Sequence, residues 1–300
     1  MKGISILIPV YEYNPTLLVT TLHKQCTSLG IPFELIVFDD ASSYESYTSW
    51  KPYLDKIVNL DIYRADKNIG RAGIRNELIK KASFDWLLFL DVDTIPCEVD
   101  YLKKYIPFLT ASNTCICGGT AYKKTIPAPD QKLRWTYGIA REEISAEKRN
   151  QNPFDTFTLN NLLIRKEVVL QFPLDDSILK YGHEDTLLGM TLAATGISIV
   201  HIDNFVFHEG LDTNEVFLEK IKQSIETLVD LYKKGKLPAK TKLMKLHSRL
   251  ATLKLNGLIA TCIKPFIPAI EKNLLGYAPS MFYMDFLKLW YFEECLNKKQ

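Results

Sequence analysis

The 300-residue sequence shows no excess of charge of either sign, no paired cysteine motif and no long apolar run. Its 37 basic and 35 acidic residues leave a net charge of +2, so the overall charge does not indicate a nucleic-acid partner. None of the six cysteines forms a CxxC pair, which argues against a structural zinc site and against a disulfide framework. We therefore expect a reducing, cytoplasmic setting.

Membrane and secretion signals are equally scarce. No window reaches 18 uninterrupted apolar residues, so no transmembrane helix is expected. The apolar run Ile4–Val10 is too short for the core of a signal peptide and indicates a buried strand instead. A chain of this length predicts one large α/β domain with a smaller appendage.

Strand and helix patterns alternate through the first half of the chain. We predict strands at 4–10, 33–38, 57–63 and 86–90, and helices at 15–29 and 70–82. This β-α-β-α-β-α-β order with short connections predicts a mostly parallel sheet flanked by helices. In such sheets ligands bind at the carboxyl ends of the strands.

The second half is less regular. We predict an extended segment at 155–165, a helix at 184–195 and two short strands at 197–201 and 205–208. From about residue 213 the pattern is mostly helical. We therefore expect a catalytic domain over residues 1–212 and a C-terminal helical region over residues 213–300.

Acidic residues follow two of the predicted strands. Asp91 and Asp93 come directly after the fourth strand, and two carboxylates so placed can hold a divalent cation that binds phosphate oxygens. The alternative is a pair of solvated acids, and the buried strand before them favours the metal. Asp39, after the second strand, can accept hydrogen bonds from a base or ribose. Alternatively, Asp40 or Ser42 can cap the next helix.

Five further residues have a functional and a structural interpretation. Arg71, near the start of the helix at 70–82, can offer its planar guanidinium to a pyrophosphate or can simply be solvated. Glu184 and Asp185 open a helix, where acids complement the helix dipole and where a carboxylate can also serve as a general base. His208 is a candidate third metal ligand, and His201 is a weaker one.

Together, five motifs resemble family 2 glycosyltransferases with the GT-A fold. The motifs occupy residues 5–11, 36–42, 68–76, 89–93 and 182–185, and the resemblance covers roughly residues 3–210. It implies an inverting enzyme that moves a sugar from a nucleotide-diphosphate sugar, a UDP-sugar in the first instance, to an acceptor hydroxyl. The acceptor would be a saccharide or a lipid-linked molecule in polysaccharide or glycolipid synthesis.

The resemblance also assigns roles to individual residues. The donor-binding residues that it implies are Pro9, Tyr11, Asp39, Asn68, Arg71, Asp91, Val92 and Asp93. Asp93 would bind Mn²⁺ or Mg²⁺, together with Asp91 and His208. Asp185 would be the catalytic base, and Glu184 would contact a sugar.

Two other functions compete with this hypothesis. The run 89–94 also resembles the DxDxT signature of haloacid-dehalogenase-type phosphohydrolases, whose first aspartate is a nucleophile. That motif normally follows the first strand, whereas three strand units precede it here. A non-catalytic nucleotide-sugar-binding protein would keep Asp39 and Asp93 but would lack a base, and Asp185 argues against it.

The C-terminal region is locally basic. Residues 232–272 carry ten lysines and arginines against a single acid, Glu271. Four leucines there follow helical spacing, with basic residues along one flank: Leu243, Leu246, Leu250 and Leu253, with Lys242, Lys245 and Arg249. The pattern is typical of a helix on an anionic membrane surface and equally of a helix packed on the catalytic domain. We thus expect a cytoplasmic protein, with contact to the inner face of the cell membrane left open.

Overall fold

The computed structural model describes residues 3–110, 114–178, 180–237 and 241–298. Within these ranges the strands are β1 (Ile4–Val10), β2 (Phe33–Asp39), β3 (Leu60–Arg64), β4 (Trp86–Phe89), β5 (Thr94–Pro96), β6 (Thr114–Cys117), β7 (Thr120–Ala121), β8 (Leu162–Arg165), β9 (Ser198–His201) and β10 (Val206–His208). The α-helices are α1 (Thr16–Thr27), α2 (Tyr44–Leu54), α3 (Gly70–Lys81), α4 (Lys132–Arg141), α5 (Ala146–Gln151), α6 (Lys166–Gln171), α7 (Glu184–Ala194), α8 (Asn214–Lys233), α9 (Lys242–Thr252), α10 (Asn256–Ile263), α11 (Ile267–Leu274) and α12 (Met281–Asn297).

The chain divides into two compact units, each discontinuous in sequence. The first unit comprises Met1–Ala121, Ile144–Leu179 and Glu184–Gly210. The second unit comprises Tyr122–Glu143, Lys180–His183 and Leu211–Gln300. All ten strands fall in the first unit, and the second unit is helical. The division into domains at residues 212 and 213 stays a prediction.

The first unit is built on a seven-stranded sheet of order β3-β2-β1-β4-β8-β6-β9. Strands β3, β2, β1 and β4 are parallel to one another, and β6 is parallel to β9. Strand β8 runs antiparallel to both of its neighbours. A second sheet of order β5-β10-β7 contains the remaining strands. The predicted α/β architecture, a mostly parallel sheet flanked by helices, is confirmed.

Two predicted extended segments begin at least three residues later in the structure than expected. Strand β3 begins at Leu60 and not at Ile57, because the amide of Ile57 donates to the carbonyl of Leu54 in the turn that ends α2. Asn59, with a φ of 57°, then reverses the chain into the strand. The predicted extended segment at 155–165 is a strand only over Leu162–Arg165. It is preceded by the 3₁₀ turn Pro153–Thr156, with proline at a first-turn position.

Hydrophobic clusters cover both faces of the large sheet. Ile6 and Ile8 of β1 pack into the cluster that includes Leu18 and Leu22 of α1. Leu7, on the opposite face, belongs to the cluster that includes Leu78 of α3. Burial on both faces explains why β1 is an uninterrupted apolar run. The packing fixes where β1, β2 and β4 end.

The second unit has a hydrophobic cluster of its own. Helices α8 and α12 supply much of it, for example Phe217 and Leu228 from α8 and Leu287 and Phe292 from α12. Over the residues that the structure describes, no single helix has both the length and the apolar composition for a membrane span. The segments Lys242–Thr252 and Asn256–Leu274 meet these two criteria only as a pair, which bends by 110° at its break.

Candidate active site

The carboxyl ends of β1, β2 and β4 lie side by side because these strands are parallel neighbours. Pro9 pairs with Phe38 in the β1–β2 register, so the partly buried proline lies one position before the end of its strand. The amide of Leu90 donates to the carbonyl of Leu7, which extends the β1–β4 pairing to the residue before Asp91. The structure therefore brings the predicted strand-end residues to one edge of the sheet.

The turn after β1 leaves Tyr11 exposed at this edge. Glu12 adopts a φ of 48°, and its carboxylate accepts from the amide of Ser43 at 2.5 Å and from the Ser43 hydroxyl at 3.0 Å. Ser43 in turn accepts from the amide of Ser46 at 3.3 Å and caps α2. The predicted cap of this helix, Asp40 or Ser42, is therefore wrong by one residue or more, because Ser43 caps α2. Tyr11 is 55% exposed and free of the packing that holds the strand.

Asp39 is fully buried at the end of β2. Its carboxylate accepts from the amide and the hydroxyl of Ser42, and Arg64 lies 3.2 Å away through Nε. These contacts compensate the burial of its charge. They also show that Asp39 is held by Ser42 of its own loop and by Arg64 of β3.

Asp40 links β2 to the start of α3. Its two carboxylate oxygens accept from the amides of Ile69 at 2.7 Å and Gly70 at 3.0 Å, so Asp40 satisfies helix donors that have no partner within the helix. Burial is the main cause that raises the pKa of Asp40, although these two amides act in the opposite direction. Asn68 supports the same turn, since its Oδ1 accepts from Gly70 at 3.1 Å. Gly70 has a φ of 79°, which few other residues adopt at low cost.

Asp91 is bound by a buried arginine. Its Oδ1 accepts from Arg75, whose side chain is only 4% exposed, and its amide donates to Oδ1 of Asn160 at 3.2 Å. Burial opposes ionisation of Asp91, but the positive charges of Arg75 and Arg71 outweigh it and keep the pKa of Asp91 below its ordinary value. Asp91 is therefore an ionised carboxylate with a fixed partner.

Asp93 and His208 face each other across a strand pair. Strand β5 runs antiparallel to β10 with Thr94 opposite His208, and the Asp93 carbonyl accepts from the Glu209 amide at 2.8 Å. His208 Nε2 lies 3.5 Å from Asp93 Oδ2, with the side chains 15% and 27% exposed. Gly210 also lies against Asp93. A Cβ added at residue 210 would lie 2.7 Å from both Cβ and Oδ2 of Asp93.

Val92, which lies between Asp91 and Asp93, is partly buried. It packs against the hydrophobic cluster that includes Ile6 and Leu18. Its side chain therefore anchors the loop that carries Asp91 and Asp93. Tyr13 lies near the same loop. Burial, followed by the negative charges of Asp93 and Glu209, raises the pKa of Tyr13.

Glu184 and Asp185 form a second acidic pair at the start of α7. Arg71 Nε donates to Oε1 of Glu184 at 2.6 Å, and the Glu184 side chain is 6% exposed. Burial opposes ionisation of Glu184, but the positive charges of Arg71 and Arg75 hold its pKa below the ordinary value. Asp185 behaves differently. Burial, and then the negative charge of Glu184, raises the pKa of Asp185 to about 6.

The charges of Arg71 and Arg75 thus act on Asp91 and on the pair Glu184 and Asp185. Within that pair, the pKa of Glu184 lies below its ordinary value and the pKa of Asp185 lies above its ordinary value. A carboxyl with a pKa near neutrality, beside one that stays ionised, is a typical arrangement for acid–base catalysis. Asp185 also accepts from the amide of Thr186 at 2.7 Å, which fixes its orientation at the helix start.

His201 has a structural environment. Its Nδ1 lies 2.7 Å from Arg149, and its Nε2 lies 2.9 Å from the carbonyl of Pro153. Burial lowers the pKa of His201, which keeps the ring neutral. Both ring nitrogens are engaged in the core, so His201 is not available to a ligand.

Asp93 and His208 suit a divalent cation by their chemistry, since a carboxylate oxygen and an imidazole nitrogen are both ligands of Mn²⁺. Asp91, the third predicted ligand, is held by Arg75. Within the described ranges no group of three or more His, Cys, Asp or Glu side chains forms a metal site. The metal role of Asp93, His208 and Asp91 therefore stays a prediction.

Several residues of the site were not predicted from the sequence. Arg75 stands in the 68–76 motif next to Arg71, and the helical spacing of these two arginines is the signal that places both on one side of α3. Arg64, at the end of β3, holds Asp39. Asn160 has no local sequence signal, because it contacts the amide of Asp91 from the segment that precedes the antiparallel strand β8.

The chain is similar to known glycosyltransferases in sequence and in fold. A chondroitin synthase of Pasteurella multocida (strain Pm70) is 26% identical in an alignment of 239 positions, which covers 69% of this chain and 25% of that protein. The chain therefore spans about a quarter of the length of this relative.

Two solved structures share the fold at lower identity. Staphylococcus aureus TarS 1–349 has a TM-score of 0.52 and 17% identity, with 99% of this chain and 90% of that chain covered. The mannosyltransferase PcManGT from Pyrobaculum calidifontis, solved with GDP-Man and Mn²⁺, has a TM-score of 0.56 and 13% identity, with 95% and 85% covered. The fold is the GT-A fold. Residues 5–169 match the sequence profile of Glycosyl transferase family 2, and the chain belongs to that family.

Proposed function

We propose that the first unit is a metal-dependent, inverting glycosyltransferase that moves a sugar from a nucleotide-diphosphate sugar to an acceptor hydroxyl. The observation that carries the proposal is the pair Glu184 and Asp185, in which Arg71 keeps one carboxylate ionised while burial raises the pKa of the other to about 6. Such a carboxyl is deprotonated at neutral pH and is basic enough to take a proton from an attacking hydroxyl.

The donor is proposed to bind along the edge formed by β1, β2 and β4. Tyr11 is exposed there for contact with a base, and Pro9, Asp39 and Asn68 shape the loops around it. Arg71 is half exposed and can reach a diphosphate. We propose a UDP-sugar, and TarS, which shares the fold, is also known in complex with UDP-GlcNAc.

The diphosphate is proposed to lie near the loop of Asp91, Val92 and Asp93, with Mn²⁺ or Mg²⁺ held by Asp93 and His208. A bound cation would neutralise the charge that develops on the departing nucleoside diphosphate. Asp91 contributes differently. Its ionised carboxylate fixes Arg75, and Arg75 in turn donates to the carbonyl of Arg71 at 3.1 Å, so Asp91 helps to position Arg71.

The chemical step is a direct displacement. Asp185 accepts the acceptor hydroxyl proton as that oxygen forms a bond to the anomeric carbon, and the bond from that carbon to the diphosphate oxygen breaks with its electron pair on the diphosphate. Attack from the opposite face inverts the configuration, so an α-linked donor gives a β-linked product. Glu184, ionised and held by Arg71, is placed to accept a hydrogen bond from a sugar hydroxyl.

The acceptor is proposed to be a saccharide or a lipid-linked molecule of polysaccharide or glycolipid synthesis. The phosphohydrolase alternative needs Asp91 as a free nucleophile after the first strand. In the structure Asp91 follows β4 and is bound by Arg75. The position of Asp91 after β4 and its ion pair with Arg75 therefore argue against the phosphohydrolase alternative.

The test separates donor binding from catalysis. A panel of UDP- and GDP-sugars with Mn²⁺ identifies the donor by thermal shift and by sugar release, and p-nitrophenyl phosphate serves as the phosphohydrolase control. Asp185→Asn should keep the donor Kd and lower turnover about 10²–10⁴-fold, the usual contribution of a positioned base. Unchanged turnover in the variant would remove Asp185 as the base. Donor binding by wild type without sugar release or transfer would favour the non-catalytic, sugar-binding alternative, and phosphate release from the control substrate would favour the phosphohydrolase.

A further inference from the structure

The second unit carries an exposed apolar groove between α10, α11 and α12. Its volume is about 470 Å³, and its walls include Leu258, Cys262, Phe266, Ala269, Tyr283 and Phe286. Leu258 is 60% exposed and Phe266 is 63% exposed. Large apolar side chains exposed next to one another usually mark a surface that contacts a partner or a membrane.

The apolar surface continues beyond the groove. Phe282 is 65% exposed, and its ring meets that of Phe286 edge-on at 4.6 Å. Leu253 and Leu255, at the start of the connection to α10, are exposed as well. We call the exposed residues around the groove the apolar face: Leu253, Leu255, Leu258, Phe266, Phe282 and Tyr283.

The charge beside the apolar face is positive. Lys254 precedes Leu255, Lys264 lies between residues of the groove wall, and both lysines are exposed. The only acid in the sequence from 241 to 280 is Glu271, which is engaged by Lys222 at 2.8 Å. A second acid, Asp285 on α12, lies in sequence between the wall residues Tyr283 and Phe286 and is paired with Arg141 at 2.6 Å. Glu271 and Asp285 are thus both engaged by basic residues other than Lys254 and Lys264.

The structure also shows which part of the leucine pattern in this region is accessible. On α9, Met244 is buried in the hydrophobic cluster and Leu243 packs against it, so one side of that helix belongs to the core of the unit. Leu246 on α9 is 46% exposed, and Leu253, at the end of the pattern, is 65% exposed. The accessible leucines of the pattern therefore include Leu246 and Leu253, whereas the side of α9 that carries Met244 is buried.

We propose that the apolar face docks on an anionic lipid bilayer. Phenylalanine and leucine side chains that enter the boundary between headgroups and acyl chains, with lysines at the level of anionic headgroups, are the arrangement of interfacial membrane contacts. Each basic group near such a surface strengthens binding about fivefold at low salt, and salt weakens this contribution. The residues that carry this proposal are not those of the proposed transferase activity. An experiment can therefore contradict the membrane proposal without contradicting the transferase proposal, and the reverse.

The experiment is co-sedimentation of the full chain with vesicles of phosphatidylcholine alone or mixed with phosphatidylglycerol, at low and high salt. We expect binding to the anionic vesicles that weakens with salt. Lys254→Glu with Lys264→Glu should weaken it at least about 25-fold. Leu258→Glu with Phe266→Glu should abolish it. Val99→Glu and Lys148→Glu, on exposed residues of the first unit, are the matched controls and should bind like wild type.

Three outcomes would overturn the proposal: no binding to anionic vesicles at low salt, equal binding to both vesicle types, or equal losses in the control variants. Sedimentation velocity tests the alternative that the apolar face binds a second copy of the chain. A dimer that Phe266→Glu dissociates, together with a lack of vesicle binding, would assign the face to self-association instead. Sugar release from the soluble donor should be unchanged in all variants, because none of these residues belongs to the candidate active site.

Discussion

Arg71 on α3 donates from Nε to Oε1 of Glu184 on α7 at 2.6 Å, across 113 positions of sequence. Glu184 is almost completely buried, and an ionised carboxylate in that environment requires a positive partner. Arg71 therefore has two roles in the proposed site. It is exposed enough to reach a donor, and it keeps Glu184 charged beside Asp185.

Removing the charge of Arg71 should move the pH dependence of transfer. The positive charge of Arg71 lowers the pKa values of both Glu184 and Asp185, so in Arg71→Gln the two carboxyls should lose their protons, as a pair, at higher pH. The acidic limb of kcat/KM should then lie at higher pH than in wild type. Arg71→Lys keeps a charge and should shift the limb less, although it loses the planar contact. A limb that stays in place in Arg71→Gln would show that the arginine does not act on the base.

The wild-type pH profile should itself report Asp185. A base must be deprotonated, and the pKa of Asp185 is raised to about 6 by burial and by Glu184. We expect kcat/KM to be level above this pH and to fall about tenfold per pH unit below it, since this ratio reports the free enzyme. The measurement is initial rates from pH 4.5 to 8.5 at fixed free metal. An acidic limb near the ordinary aspartate value would contradict the raised pKa.

The metal should bind through Asp93. Asp93→Asn removes the charged ligand while keeping the size of the side chain, so donor binding in the presence of Mn²⁺ should weaken at least about tenfold. Isothermal titration with and without a chelator measures this change. Chelator should weaken donor binding to wild type and should leave binding to the variant almost unchanged. If chelator left donor binding unchanged in wild type as well as in Asp93→Asn, the proposed metal role would be wrong.

Gly210 should be essential for the position of Asp93. A methyl group at residue 210 would lie 2.7 Å from both Cβ and Oδ2 of Asp93, so Gly210→Ala should displace that side chain from His208. We expect metal-dependent donor binding to weaken at least about tenfold while the melting temperature changes little. Gly257→Ala is the matched control, because a methyl group there meets no atom within 4 Å. Equal affinity in the two variants would contradict this account.

The parallel half of the first unit could be predicted from the sequence because its signals are local. Strand β1 forms over the residues predicted, and β2 and β4 differ from prediction by one residue at their ends. Strands buried on both faces produce continuous apolar runs, and acids directly after such a run fall at the carboxyl edge. The position of Asp39, Asp91 and Asp93 followed from that pattern.

The contacts that define the site could not be predicted in the same way. Strand β8 inserts between β4 and β6, and its antiparallel direction brings Asn160 to the amide of Asp91 from 69 residues away. Arg75 was visible as a helical neighbour of Arg71, but its burial against Asp91 depends on how α3 packs on the sheet. Pairings between distant segments of this kind are set by tertiary packing and leave no periodic trace in the sequence.

The ladder between β5 and β10 has a consequence for the exchange of the proposed cation. Because Thr94 is opposite His208, the separation of His208 and Asp93 is set by the backbone hydrogen bonds of a strand pair and not by a free loop. The backbone conformational entropy of these two residues is therefore lost when the chain folds and not when a cation arrives. A cation that leaves with the spent nucleotide would find both donors still in place on its return, and Mn²⁺ and Mg²⁺ would meet the same preformed spacing.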